Sequence, residues 1–440
     1  MDIHIRKNAP KECKMTKKKI AAILIALGVV VLVTLLVLQS LPRTVLLELT
    51  NGRLAGADYW RNEPVILSAG LGFDNIIGLP ELTQETVREA GGSWYSSVKC
   101  TNGQEPSTNV FTSATAADNI GQGYKGYADY DDGLPVVFSW PVATETVDPT
   151  DFQFTLNTGE VVFGHAAGMF PNWENNERNT VVLFGDFGNR IKSTDPDSLF
   201  PVKLEIVADS TPLLLIGPEG QEFNAVGLTW TTDKSPYDQG PVLVGAKLNH
   251  AGDQAIGEGG VFLIDRAPFM PNDEFALYDE SDFRLRVLTS GGFSPDGVTG
   301  LRPNMFEDFF RVHANGADGE TVIIMDKVGI EYQVAGGSLQ IIGLSDLGQA
   351  ENPDSGVYYD DCYQEDRDNY IDIILIGDEA AARNITFVEI PALEGGYRAF
   401  YNPGGPGPEP FEGISYTAPG PADLEPVVIA LDNPMRVNRK

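Results

Sequence analysis

The densest group of side chains able to do chemistry is acidic. Residues 351–380 contain ten Asp and Glu against one base, Arg367. Within that stretch Asp360, Asp361, Glu365, Asp366 and Asp368 crowd a hydrophilic loop beside the strand-like run 371–376. Packed carboxylates repel one another unless a proton or a cation intervenes. Calcium takes about six to eight oxygens from loops of this kind, and extracellular sites bind it weakly. These five acids are therefore the calcium candidates, weighed against a plain solvated loop. A second acidic turn, 129–133, lacks calcium-loop spacing, because its glycine stands one place early and no Glu closes it. Paired carboxylates also serve glycoside hydrolysis, but acids are so abundant here that chance pairs are expected.

Other chemistry is sparse. His165, His250 and His313 are far apart in sequence, and no short ligand pair forms among them. There is no G-x-S-x-G elbow, no G-x-x-x-x-G-K-[ST] phosphate cradle and no H-E-x-x-H helix. The glycine-rich run 121–126 reads as a surface turn. Trp173 sits in the polar run 171–178 and is the best candidate for an exposed, ligand-stacking aromatic, whereas Trp140 reads as core. Cys100 and Cys362 can pair in an oxidising compartment or stay as two buried thiols. Cys13 stands apart from them, beside a basic cluster. Asn384-Ile385-Thr386 is an N-x-[ST] acceptor, relevant only in a host that glycosylates exported proteins.

The elements that would position these groups read as β-strands. Short apolar or alternating runs such as 136–140, 152–156, 180–184, 202–207, 241–244, 321–325, 339–342 and 371–376 are broken by Gly, Pro, Asn and Asp. The run 283–288 has strict period-2 alternation, which suits a half-buried strand. With 47 Gly and 29 Pro as punctuation, the spacing predicts a mainly β protein of tandem sandwiches with few short helices. Helices are expected at 80–90 and at 304–313. In the latter, Met305, Phe306, Phe309, Phe310 and Val312 form an apolar face that plugs the end of a sandwich.

Charge and hydropathy set the location. The 440 residues hold 31 Lys and Arg against 62 Asp and Glu, a net charge of -31, with 42% hydrophobic residues. So much apolar material excludes a disordered acidic tail. So much negative charge excludes general nucleic-acid binding. The head, 1–19, is basic, with seven Lys and Arg against two acids. It is followed by 20–38, which carries no charge and one hydroxyl. Such a helix spans roughly 28 Å, close to a bilayer core. The lysines at 17–19 predict a cytoplasmic N-terminus, with the bulk of the chain outside. The run is longer than a signal-peptide core, and 39–43 is a poor cleavage site, so an uncleaved signal anchor is the expectation.

Residues 134–162 resemble the opening strands of bacterial immunoglobulin-like domains. The matching pieces are Phe138-Ser139-Trp140-Pro141-Val142 and Thr146-Val147-Asp148-Pro149-Thr150-Asp151-Phe152. The resemblance implies a β-sandwich in an extracellular setting and no particular activity. The expected organisation is a basic head at 1–19, a span at 20–38 and a membrane-proximal β or irregular region at 43–130. Sandwiches follow at 131–262 and 263–350, then an acidic loop, strands and a Pro/Gly-rich segment at 351–440. The expected function is binding, adhesion or envelope structure at the cell surface, assisted by calcium. The alternative is an anchored hydrolase of glycans or phosphoesters. Expected partners are the bilayer, through 20–38, and an extracellular protein or glycan.

Overall fold

The computed structural model describes residues 52–439 except 53, 71–72, 97, 101–102, 104–109, 125, 170–171, 173, 236–241, 254, 256–276, 279, 293–300, 346–347, 351–362, 366–368, 394–395 and 398–421. The fold is mainly β, with 45% strand and 9% helix in several sheets. Among the described residues no helix is long and apolar enough to cross a membrane. The expected span, 20–38, lies outside them.

The first lobe is built on Asp131–Phe138. It pairs with Thr180–Gly185 on one side and with Ile66–Ala69 and Phe73–Leu79 on the other. Ala166–Gly168 extends the sheet at one edge, and Thr115–Ala116 at the other. A four-stranded sheet faces it, in the order Thr229–Thr231, Pro201–Ile206, Phe152–Leu156, Val161–Val162. Leu134, Val136, Phe138, Val181 and Leu183 from the larger sheet share one core with Phe152, Phe154, Leu204 and Ile206 from the smaller. The turn between Phe138 and Phe152 is fixed locally. Asp148 caps the short 3-10 helix Pro149–Asp151, accepting from Thr150 N at 2.9 Å, while Asp151 accepts from Asp148 N at 2.9 Å. Residues 134–162 are thus a strand, a capped turn and a second strand.

The second lobe repeats the plan. Its larger sheet runs Glu331–Val334, Gly337–Ser345, Tyr370–Gly377, Phe283–Thr289, Leu243–His250, Val428–Ile429. Its smaller sheet runs Val322–Met325, Arg311–Asn315, Ile385–Ile390, Asp423–Pro426. Leu285, Val287, Leu339, Ile341, Ile371 and Ile373 meet Val312, Ala314, Val388 and Ile390 in a second core. The helix expected at 304–313 shortens to Phe306–Phe309, because Arg311–Asn315 is claimed by sheet pairing on both sides. Phe306, Phe309 and Phe310 fill the core as expected.

Sheet pairing crosses the boundaries drawn from composition. Ile66–Ala69 and Phe73–Leu79, from the 43–130 stretch, are strands of the first lobe. Leu243–His250, placed before residue 262, pairs with Phe283–Thr289 of the second lobe. Residues 370–429 supply three of its further strands in full, with 428–429 at its edge. Leu54–Asp58 pairs antiparallel with Arg436–Arg439, so the earliest and latest described strands lie side by side. The helix expected at 80–90 forms as Gln84–Glu89, capped by Thr83, which exchanges hydrogen bonds with Thr86. Residues 121–123, read as part of a surface turn, instead end the helix Ala117–Gly123.

Candidate functional site

Alternation in a strand separates two faces, and the second lobe's larger sheet uses both of them indoors. Phe283, Leu285 and Val287 enter the core. The intervening Arg284 and Arg286 were expected to face water, since charged residues alternating with apolar ones mark a half-buried strand. Both are 0% exposed. Lys247 and Asn249 on the adjoining strand, and Asp372 on the other neighbour, are also fully buried. This polar face is covered by residues 54–60 and 172–180, which is why it can be charged without meeting solvent.

The covering segments bring the counter-charges. Arg286 grips Asp372 with two nitrogens, Nε to Oδ1 at 2.9 Å and Nη2 to Oδ2 at 3.2 Å. Its Nη1 reaches Asp58 at 3.2 Å and Glu177 at 3.4 Å. Arg284 donates to Asp372 at 3.3 Å. The Lys247 ammonium is bonded to Asp58 and also donates to the Pro434 and Met435 carbonyls, each at 3.3 Å. Three acceptors satisfy its three donors. Arg436 Nε adds a contact to Asp58 at 3.2 Å. Burial pulls the Lys247 ammonium down to about 7, against the opposing pull of Asp58. Burial alone would raise the Asp58 carboxyl, but Lys247, Arg436 and Arg286 overcome it and hold it well below the carboxylate range.

Neutral groups complete this seam between the lobes. Asn369 Oδ1 accepts from Asn172 Nδ2 at 3.3 Å and Thr180 Oγ1 at 3.1 Å, and Tyr370 OH bonds Asn179 Oδ1 at 3.1 Å. Trp60 packs with Val137 of the first lobe and Val244, Leu288 and Tyr370 of the second. Its ring passes so close to Gly245 that a Cβ there would lie 2.5 Å from Trp60 Cε3. A Gly245→Ala variant should therefore lose roughly 1–3 kcal/mol by overpacking, read as a lower denaturant midpoint. The polar run around Trp173 is part of the same seam. Asn172 and Glu174 are each 1% exposed and residues 175–179 are 0% exposed. That corrects the expectation of an open polar surface; Trp173 itself lies outside the described residues.

The three histidines do not converge. His165 Nδ1 meets Asp131 Oδ1 at 2.8 Å, His313 Nε2 meets Glu389 Oε2 at 2.5 Å, and the His250 ring packs on Phe283 at 5.6 Å. Among the described residues no group of three or more His, Cys, Asp or Glu is placed to hold a metal ion. The calcium candidates Asp360, Asp361, Asp366 and Asp368 lie outside the described residues, as does the Glu365 side chain. In the other acidic turn Asp131 and Asp132 are buried and take protein donors, with Asp131 Oδ2 accepting Ala128 N at 2.7 Å. Cys100 is disulfide-bonded and packs against the second lobe's core. Cys362, its expected partner, lies outside the described residues. Asn384 spends its amide nitrogen on the Ala335 and Ala380 carbonyls, at 3.0 and 2.8 Å, so the acceptor nitrogen of the N-x-[ST] triplet is engaged.

The outer faces of the two smaller sheets differ in chemistry. In the first lobe Thr231, Lys203 and Thr155 form one cross-strand row, and Thr229, Glu205 and Gln153 the next. That face is polar, with Val161 at its edge. In the second lobe Ile324, His313, Phe387 and Pro426 line up across all four strands, followed by Arg311, Glu389 and Leu424. Ile324 is 48% exposed, Phe387 39%, Leu424 46% and Val322 56%. The His313–Glu389 pair sits in the middle of this apolar face, with side chains 12% and 17% exposed. No sequence signal marked it, because Val322, Ile324 and Phe387 look like ordinary strand residues until the register is known.

Comparison with known proteins returns no matching family model, no matching curated protein and no matching solved structure.

Proposed function

We propose that this is a single-pass, N-in membrane protein. In this reading it presents two joined β-sandwiches outside the cytoplasm and binds a protein partner. The binding surface is the outer face of the second lobe's smaller sheet. One observation carries the binding role. Two sheets of the same plan expose opposite chemistry, polar in the first lobe and apolar around Ile324, Phe387 and Leu424 in the second. Water-exposed apolar rows across four strands are the mark of an interaction surface rather than of a free one. A glycan would require more hydrogen-bonding groups than this row offers. A second copy of the chain would bring a net charge of -31 against another -31, so a different protein is the fitting occupant.

The anchor in this reading is 20–38, with the basic head retained in the cytoplasm. Calcium at Asp360, Asp361, Glu365, Asp366 and Asp368 would stiffen the loop preceding Tyr370–Gly377. The Cys100–Cys362 bond would tie residues near 100 to the second lobe. The immunoglobulin-like kinship of 134–162 belongs to the same proposal.

A photo-crosslinking residue placed at Ile324, and separately at Thr229 as a control on the polar face, tests the binding role in intact cells. The expected result is a discrete adduct with one other protein from position 324 and none from 229. A Phe387→Asp change should weaken that adduct at least tenfold while leaving the melting temperature within a few degrees. Equal labelling from both faces, or adducts made only of two copies of this chain, would overturn the reading. External protease on the same cells should remove everything beyond the anchor.

A further inference from the structure

A pair of buried carboxyls at the edge of the first lobe has hydrogen bonds that two anions cannot make. Asp132, 2% exposed, accepts Asn75 N on Oδ1 at 2.9 Å and Phe187 N on Oδ2 at 2.7 Å. Asp74 accepts Arg190 N on Oδ2 at 3.2 Å. Its Oδ1 is buried and receives no N–H or O–H donor. The Asp74 and Asp132 side chains are hydrogen-bonded to each other. Both Asp132 oxygens already accept, so only a proton between the carboxyls can make that bond.

The pair joins three separate pieces of chain. Asn75 sits at φ 58 in an irregular stretch between the Phe73–Gly133 and Ile77–Asp131 pairings. Asp132 lies on the central strand, opposite Gly185. The segment 186–190 follows that strand partner and turns at Gly188, φ +138, where a Cβ would fall 2.3 Å from the Leu199 carbonyl oxygen. The charged neighbours are few and come from each of these elements. Asp186 repels both carboxyls and the buried Arg190 attracts Asp74. Asp131, next along the strand, is occupied by His165 and Ala128 N. One guanidinium thus faces three carboxyls.

We propose that the Asp74–Asp132 pair is a proton-operated latch. With one shared proton it fastens the irregular stretch around Asn75 and the 186–190 segment to the central strand. Loss of that proton puts two anions side by side in a buried place, and the fastening loosens. Burial and mutual repulsion raise both carboxyls above their ordinary range, Asp132 the further. The latch is thus closed in mildly acidic water and released as the medium turns alkaline.

Asparagine at 74 mimics the protonated acid. Its oxygen accepts Arg190 N and its amide nitrogen donates to Asp132, so Asp74→Asn closes the latch at every pH. Hydrogen–deuterium exchange on the full chain, corrected for the intrinsic pH dependence of exchange, reads the result. In the wild type, protection of the Asn75, Phe187 and Arg190 amides should fall at least tenfold between pH 5.5 and pH 8.5. Amides of Phe152–Leu156 serve as the internal control and should stay constant. In Asp74→Asn the three latch amides should keep their pH 5.5 protection at pH 8.5. Unchanged wild-type protection across that range, or the same loss in Asp74→Asn, would overturn the proposal.

Discussion

Replacing Arg286 with alanine is expected to remove about 3–5 kcal/mol of folding stability, the usual cost of breaking a buried ion pair from one side. The side chain is wholly buried and holds Asp372, Asp58 and Glu177 together. Its loss leaves three carboxylates with fewer donors and no water to replace them. Chemical denaturation monitored by tryptophan fluorescence would read the change as a lowered midpoint. Arg286→Lys should recover only part of it, because one ammonium cannot reproduce the two-nitrogen grip on Asp372. Removing both partners, as in Arg286→Met with Asp372→Leu, should cost less than the sum of the single changes. A loss below about 1 kcal/mol for Arg286→Ala would mean that water reaches the seam and screens it.

The second large expectation concerns pH. Burial pushes the Asp151 and Glu425 carboxyls up to about 7, and Asp74 and Asp132 also rise. For an acid with a raised folded pKa, the folded chain holds the proton more tightly than the unfolded chain. Its stabilising contribution is complete below the ordinary carboxyl pKa of about 4 and is lost as pH climbs through about 7. Asp58 behaves in the opposite way, because its cations hold it low. Its contribution is complete above about 4 and disappears as pH falls further. The two trends give a melting temperature that rises as pH drops from 8 to about 5 and declines below about 4. The gain between pH 8 and 5 should be on the order of 2 kcal/mol. Falling self-repulsion as the net charge of -31 shrinks acts in the same direction. Asp151→Asn and Glu425→Gln should each flatten the upper part of the curve, as measured by calorimetry of dilute protein. A melting temperature that rises steadily toward pH 8 would contradict the assignment.

The β class was legible because strand runs such as 136–140 and 371–376 carry their own punctuation. The phenylalanine-rich plug at 306–310 was legible for the same reason, since its apolar spacing is local. The seam was not. Arg284, Arg286 and the polar run 172–179 have the composition of solvent-facing surface, and only their counter-charges, from Asp58 to Asp372, make burial tolerable. Those partners are brought together by pairings between distant strands, which no local pattern encodes. The Asp74–Asp132 pair was hidden likewise, although two consecutive acids opening the apolar run 131–138 offered a hint. The apolar face around Phe387 needed the cross-strand register to become visible. The anchor rests on 20–38 alone, where composition decides without any neighbour.

The pairing of Leu54–Asp58 with Arg436–Arg439 has a mechanical consequence. Leu54 stands opposite Arg439, so tension entering before the one and leaving after the other acts at the same end of the ribbon. Hydrogen bonds in that geometry are peeled one at a time instead of being loaded together. Under pull the ribbon should therefore unzip at low force, while everything between residues 59 and 435 bears no load until it has parted.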